Sequence, residues 1–215
     1  MAQYEGGASR RLTATAIVIL VTVAVSLFVT LGNFGVEASM RGGFIPARLS
    51  GIETDFAAVP AILTPLSCTL LHAGFFHLGM NMLMLGFTGR ETERVVGPMG
   101  LLILYVVGAF AAAFAQWLPD PDSITPMIGA SGAASAVVGA YSLLFGRSRA
   151  RAIGPIPAQA VHVLWLAIAW TVVNLLTAFA FLGAGIAVAA AAHIGGFLAG
   201  LALAKPLLWW NWRKA

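Results

Sequence analysis

The sequence predicts an all-α polytopic membrane protein: a bundle of six transmembrane helices with both termini in the cytoplasm. Three observations predict it. Of 215 residues, 60% are hydrophobic and only 9% are charged, with a mean hydropathy of +0.90, whereas a water-covered surface needs far more charge. The apolar residues gather in runs close to the ~20 that cross a ~30 Å hydrocarbon core. Basic residues collect in alternate connecting segments.

The first run, 12–31, follows Arg10 and Arg11. Val36-Glu37-Ala38 resembles a weak signal cleavage site, but the apolar region is longer than a signal core, and we read it as a retained helix. The second is helical over 75–88, with an apolar lead-in from Phe56 that is too long for the same span. Pro60 and Pro65 break that lead-in, so it is expected to be interfacial or re-entrant. Four further spans are expected over 100–117, 128–145, 161–182 and 185–203. The chain thus divides into a cytoplasmic segment 1–11, a membrane domain 12–204 and a cytoplasmic tail 205–215.

Ten of the twelve Lys and Arg residues fall on one side of this arrangement, among them Arg10, Arg11, Arg90, Arg94, Arg147, Arg213 and Lys214. Only Arg41 and Arg48 lie on the other, with most of the acids. The positive-inside rule therefore places both ends in the cytoplasm, and the net charge of +4 reflects topology, not nucleic-acid binding. Trp209, Trp210 and Trp212 fall where an inner aromatic belt belongs, and Trp117 where an outer one does. A single cysteine, Cys68, excludes an internal disulfide framework.

No Asp, Glu, Lys or Arg lies well inside a span, so the few polar residues there are functional candidates. They are His72, His77 and Asn81 at the head of span two, Ser131 and Ser135 in span four, and His193 in span six. Spans two, four and six all run from outside to inside. At the helical rise, Ser131 and His193 both lie on the order of 10 Å below the outer surface. Three separate stretches bring polar groups to one depth, as a shared site requires.

Packing points the same way. Ser131, Ser135 and Gly139 recur every four residues, and His193, Gly196 and Gly200 share one face. Small residues let membrane helices approach closely. If these stripes meet, the Ser131 hydroxyl reaches a His193 ring nitrogen, pairing a nucleophile with a general base. His77 and Asn81, four apart on one face, offer side-chain donors for an oxyanion, and the Ser131 backbone N–H is a third. No carboxylate is at hand to orient His193, so a dyad is expected. Asn174 is expected to tie helices together, and Arg90, Glu91, Glu93 and Arg94 to form a solvated inner loop.

Three stretches, GASG (129–132), HAGFFHLGMN (72–81) and HIGGFLAG (193–200), in this order and on these spans, are similar to the motifs of rhomboid intramembrane serine proteases. The resemblance covers residues 36–203. It implies Ser131 as nucleophile, His193 as base, and His77 and Asn81 as oxyanion donors. It implies structural support from His72, which orders the first loop, from Gly129 and Gly132 of the serine motif, and from Gly196 and Gly200, which pack helix six on helix four. The chain departs from better-known members at Ser135, where a tyrosine often stacks on the histidine. It also departs at GFIPARL (43–49), which replaces a Trp-Arg pair in the first outer loop.

The function this implies is hydrolysis of peptide bonds in or near transmembrane segments of membrane proteins, in a multi-pass membrane protein of bacterial inner-membrane type. The site would open toward the outer face, and substrate would enter laterally beside span five and the turn at residues 183–185. No cofactor or metal is implied, because no His-Glu-x-x-His motif or carboxylate–histidine cluster is present. The competing reading is a catalytically inactive relative that binds or escorts membrane proteins; such relatives lose the serine or the histidine, and this chain keeps both. A transporter would need polar groups on both sides of the midplane or an inverted repeat, and neither is present.

Overall fold

The structure, a computed structural model, describes residues 12–182 and 188–213. The expectations placed on Arg10, Arg11, Lys214 and the turn at 183–185 lie outside the described residues. Among the described residues the fold is all helical, with isolated bridges as the only β pairing. The principal helices are α1 (Ala14–Leu31), α5 (Phe75–Trp117), α6 (Ser131–Phe145), α7 (Ala158–Leu182) and α8 (Ala190–Trp212). Four of them, α1, α5, α7 and α8, are long and apolar enough to cross a membrane. At 15 residues, α6 rises only about 22 Å, short of a ~30 Å hydrocarbon core.

The 43-residue α5 is two helical stretches joined at a sharp bend. Gly97 there has φ 77 and ψ 166, outside the helical region, and Pro98 has no N–H to offer the preceding turn. Asn211, near the end of α8, donates from Nδ2 to the Val95 carbonyl at 3.1 Å, and its side chain occupies the space a Cβ at Gly97 would need. At the same end of the bundle the Glu93 carboxylate accepts from the Ala14 and Thr15 amides at 2.7 and 2.8 Å and from Thr15 Oγ1 at 2.6 Å. An anion at a helix start meets its unpaired amides and the positive end of its dipole. Glu93 is therefore not a solvated loop residue, as the sequence reading had it. It lies on a helix that continues past Thr88 and fastens α1 to α5.

The core forms where α5, α6 and α8 meet, with Leu85, Leu101, Leu104, Val137 and Ala204 all buried. Glycines bring these backbones together. A Cβ at Gly196 would strike the Gly132 carbonyl, one at Gly200 the Ala136 carbonyl, and one at Gly139 the Phe197 carbonyl. By contrast, α7 is peripheral: Asn174 is its only buried residue through Phe181.

Between α1 and α5 the chain forms the short helices α2 (Gly35–Gly42), α3 (Pro46–Leu49) and α4 (Thr64–Ser67), the last flanked by 3-10 turns. The lead-in broken by Pro60 and Pro65 thus holds only a one-turn α-helix between two 3-10 turns. Residues 43–49 are an anchor: Phe44 is fully buried, its N–H donates to the Met127 carbonyl at 3.0 Å, and the Met127 N–H donates back at 2.8 Å. Arg48 donates to the Val59 carbonyl at 2.7 Å, and Arg41 pairs with Glu37 at 3.0 Å while donating to the Ala57 carbonyl. The two arginines that stand apart from the basic majority thus brace one loop.

Candidate active site

Ser131 opens α6, and the backbone before it makes a turn that only glycine follows without strain: Gly129 has φ 121. Two bonds pin that turn. The Gly129 N–H donates to the Cys68 carbonyl at 2.9 Å, and the Ala130 N–H donates to His72 Nε2 at 3.3 Å. With Nε2 accepting, the His72 proton sits on Nδ1 and is donated to Ser26 Oγ on α1 at 2.9 Å. Ser26 in turn donates to the Leu70 carbonyl at 2.8 Å. Buried His72 thus links α1, the loop and the residue before Ser131.

The close approach of α6 and α8 brings His193 to the serine. His193 Nε2 lies 2.7 Å from Ser131 Oγ. The far nitrogen, Nδ1, lies 2.8 Å from Asn174 Oδ1 on α7. The Asn174 amide nitrogen donates to the Trp170 carbonyl at 2.9 Å, which identifies the oxygen as the end facing His193. Nδ1 therefore carries the proton, and the Nε2 lone pair accepts from the serine hydroxyl. Such a pair can withdraw the proton of an attacking hydroxyl.

Across the site, His77 Nδ1 accepts from the Ala73 amide at 3.3 Å, leaving its proton on Nε2. That edge of the ring lies over Gly129: a Cβ there would stand 2.8 Å from Nε2 and 3.7 Å from Ser131 Oγ. The His72 and His77 rings meet edge to face at 5.0 Å. Asn81 is buried, and its Nδ2 donates to the His77 carbonyl at 2.9 Å, one turn back on its own helix. The second Nδ2 hydrogen is not used by that bond. Its Oδ1 is buried without a partner.

Of the residues singled out in the sequence, Ser131 and His193 are in direct contact, and His77 and Gly129 adjoin them. Gly132 and Gly196 face each other where α6 meets α8, and Gly200 lies one turn further along the same contact. Ser135 is buried; its hydroxyl donates to the Ser131 carbonyl at 2.7 Å, and its Cβ packs toward Gly196. Two residues carry more than the sequence reading gave them. Asn174 holds His193 as well as joining helices, and Ser26 had not been singled out. Depth in an apolar run is the one signal in the sequence that marks both, and it does not distinguish support of the site from a tie between helices. If these two spans run outward, as the sequence predicts, Asn174 lies ~20 Å above residue 161 and Ser26 ~8 Å below residue 31, close to the level of Ser131. Among the described residues no group of His, Cys, Asp and Glu has the arrangement of a metal site.

The family model described as Rhomboid domain matches residues 61–210. The chain is similar to Rhomboid protein 1, mitochondrial, of Saccharomyces cerevisiae, with 30% identity over 60% of this chain and 37% of that one. It is 34% identical to RHOMBOID-like protein 5 of Arabidopsis thaliana, over 80% of this chain and 53% of the relative. It is 31% identical to Rhomboid protease GlpG of Photorhabdus laumondii, over 66% of this chain and 45% of the relative. The matches thus span between a third and about half of these relatives' own lengths. The family match takes in well over half of the residues, and the chain belongs to the rhomboid family.

Proposed function

We propose that this protein is an intramembrane serine endopeptidase that hydrolyses peptide bonds in or near transmembrane segments of other membrane proteins. The observation that carries the reading is the 2.7 Å contact between Ser131 Oγ and His193 Nε2 where α6 meets α8. In this reading the two halves of α5 are separate spans. With α1, α6, α7 and α8 they make six, with both ends cytoplasmic and Ser131 reached from the outer face. The basic segments at 90–94, 147–151 and 205–214 support that orientation. The named relatives include a protein called a rhomboid protease, which supports the class of reaction.

The chemistry follows from the donors and acceptors. His193 Nε2 takes the hydroxyl proton as Ser131 Oγ attacks the scissile carbonyl carbon. The carbonyl oxygen becomes an oxyanion, stabilised by His77 Nε2–H, the Ser131 backbone N–H and the remaining Asn81 Nδ2–H. The oxyanion then re-forms the carbonyl, the C–N bond breaks, and the imidazolium gives its proton to the departing amine, leaving the acyl-enzyme. Water attacks the acyl-enzyme by the same route in reverse, restoring Ser131.

The test is cleavage of a transmembrane reporter in liposomes by wild type, Ser131→Ala and His193→Ala, with folding checked by thermal unfolding in detergent. Loss of cleavage in both variants with folding retained is expected. Persisting cleavage in either one excludes the dyad, and an inert wild type points to the inactive, binding class of relative.

A further inference from the structure

We propose that Asn174 is a positioning residue for His193, so that the seating of α7 sets the reactivity of the base. The inference rests on the Ser131–His193 reading above. Neutral imidazole has two tautomers, and only the one with a bare Nε2 can take a proton from Ser131. Asn174 Oδ1 has no hydrogen to give. At 2.8 Å from Nδ1 it accepts the ring proton there and disfavours the other tautomer. The bond from Asn174 Nδ2 to the Trp170 carbonyl prevents the amide from turning its nitrogen toward the ring.

Other observations on α7 converge on the same histidine. Asn174 is the one buried residue of that helix through Phe181, although polar residues are costly in a membrane. One turn earlier, Trp170 donates from Nε1 to the His193 carbonyl at 3.1 Å. Its ring stacks on Phe197, one turn beyond His193, at 4.8 Å and 9°. The helix thus grips both the side chain and the backbone of His193 while contributing little else to the core. Ser135 supplies no ring to steady the histidine, and the hydrogen bond from α7 takes that place. A neutral amide does this without introducing a charge into the bilayer.

The experiment separates positioning from substrate access. A small fluorophosphonate reaches Ser131 from water, so its labelling rate reports nucleophile activation without passage between helices. Asn174→Leu, close in volume and lacking the acceptor, is expected to slow labelling about tenfold or more, by the weight of general-base assistance. Reporter cleavage should lose kcat in proportion, with KM changed less than about twofold. Asn174→Asp, which keeps an acceptor oxygen, should restore labelling to most of the wild-type rate. In wild type, ring-nitrogen NMR of labelled histidine should find neutral His193 protonated on Nδ1, which needs no variant to fold. Labelling of Asn174→Leu at the wild-type rate, or an Nε2–H tautomer in wild type, overturns the assignment. A wild type that fluorophosphonate does not label at all overturns the serine-protease reading instead.

Discussion

Ser26 of α1 and His72, in the segment just before α5, are joined side chain to side chain, with the His72 Nδ1–H donating to Ser26 Oγ at 2.9 Å. Because Ser26 passes its own proton to the Leu70 carbonyl, it is left as an acceptor. His72 Nε2 is then free to receive the Ala130 amide. Ser26→Ala removes that acceptor inside the bundle. A loss of about 1–3 kcal/mol is expected, the range for stranding a buried polar group. Thermal unfolding in detergent measures it, and fluorophosphonate labelling of Ser131 should slow by several-fold as the turn before it loosens. Unchanged values for both would remove Ser26 and His72 from support of the site.

Gly129→Ala meets two obstacles. The backbone at φ 121 disfavours any side chain, at about 1–3 kcal/mol, and the added methyl would press on the His77 ring. Reporter cleavage should fall more than stability does, because the methyl displaces an oxyanion donor. Cleavage within twofold of wild type would show that His77 does not act from this position.

Two glycines make a matched pair for the contact between α6 and α8. A methyl at position 196 strikes the Gly132 carbonyl, whereas one at Gly79 meets nothing within 4 Å. Gly196→Ala should cost about 1–3 kcal/mol by overpacking, and it should part His193 from Ser131. Gly79→Ala should leave stability unchanged or raise it by up to about 1 kcal/mol through helix propensity. Equal behaviour of the two, in unfolding and in cleavage, would contradict the close approach.

Glu93→Gln tests the clasp at the opposite end of the molecule. The carboxylate receives two amides and a hydroxyl from the first turn of α1. Replacing it should lower stability by about 1–2 kcal/mol, the weight of a charge-assisted bond. Labelling of Ser131 at temperatures where the protein stays folded should be unaffected. A wild-type unfolding temperature would show that the contact contributes nothing.

Asn81→Ala should lower kcat by about 10- to 1000-fold if its second Nδ2 hydrogen serves the oxyanion, with little change in KM. Steady-state cleavage separates the two. An unchanged kcat would confine Asn81 to its bond with the His77 carbonyl.

Much of this arrangement was legible because the membrane makes polar residues conspicuous. Ser131, His193 and His77 stood out against their apolar runs, and the glycines at 196 and 200 marked the face on which helices meet. Two things were hidden. A polar residue at the right depth can hold a catalytic group or merely join helices, and composition does not distinguish them; Asn174 became informative only once its Oδ1 was seen beside Nδ1. Glu93 sits among Arg90, Glu91 and Arg94, so its sequence neighbourhood resembles a solvated loop. Its partner, the start of α1, is 79 residues away in the chain, and no local pattern signals that pairing.

The bend at Gly97 also imposes an order in time. Its Val95 carbonyl is met by the amide of Asn211, 116 residues later in the chain, an interval of roughly 6–23 s at ordinary rates of synthesis. Both halves of α5 therefore exist well before the side chain that braces their junction. The helix α8, made long after both, carries His193 at one end and Asn211 at the other. A single late arrival thus completes the reactive pair and braces the bend, and a chain stalled before that point has neither.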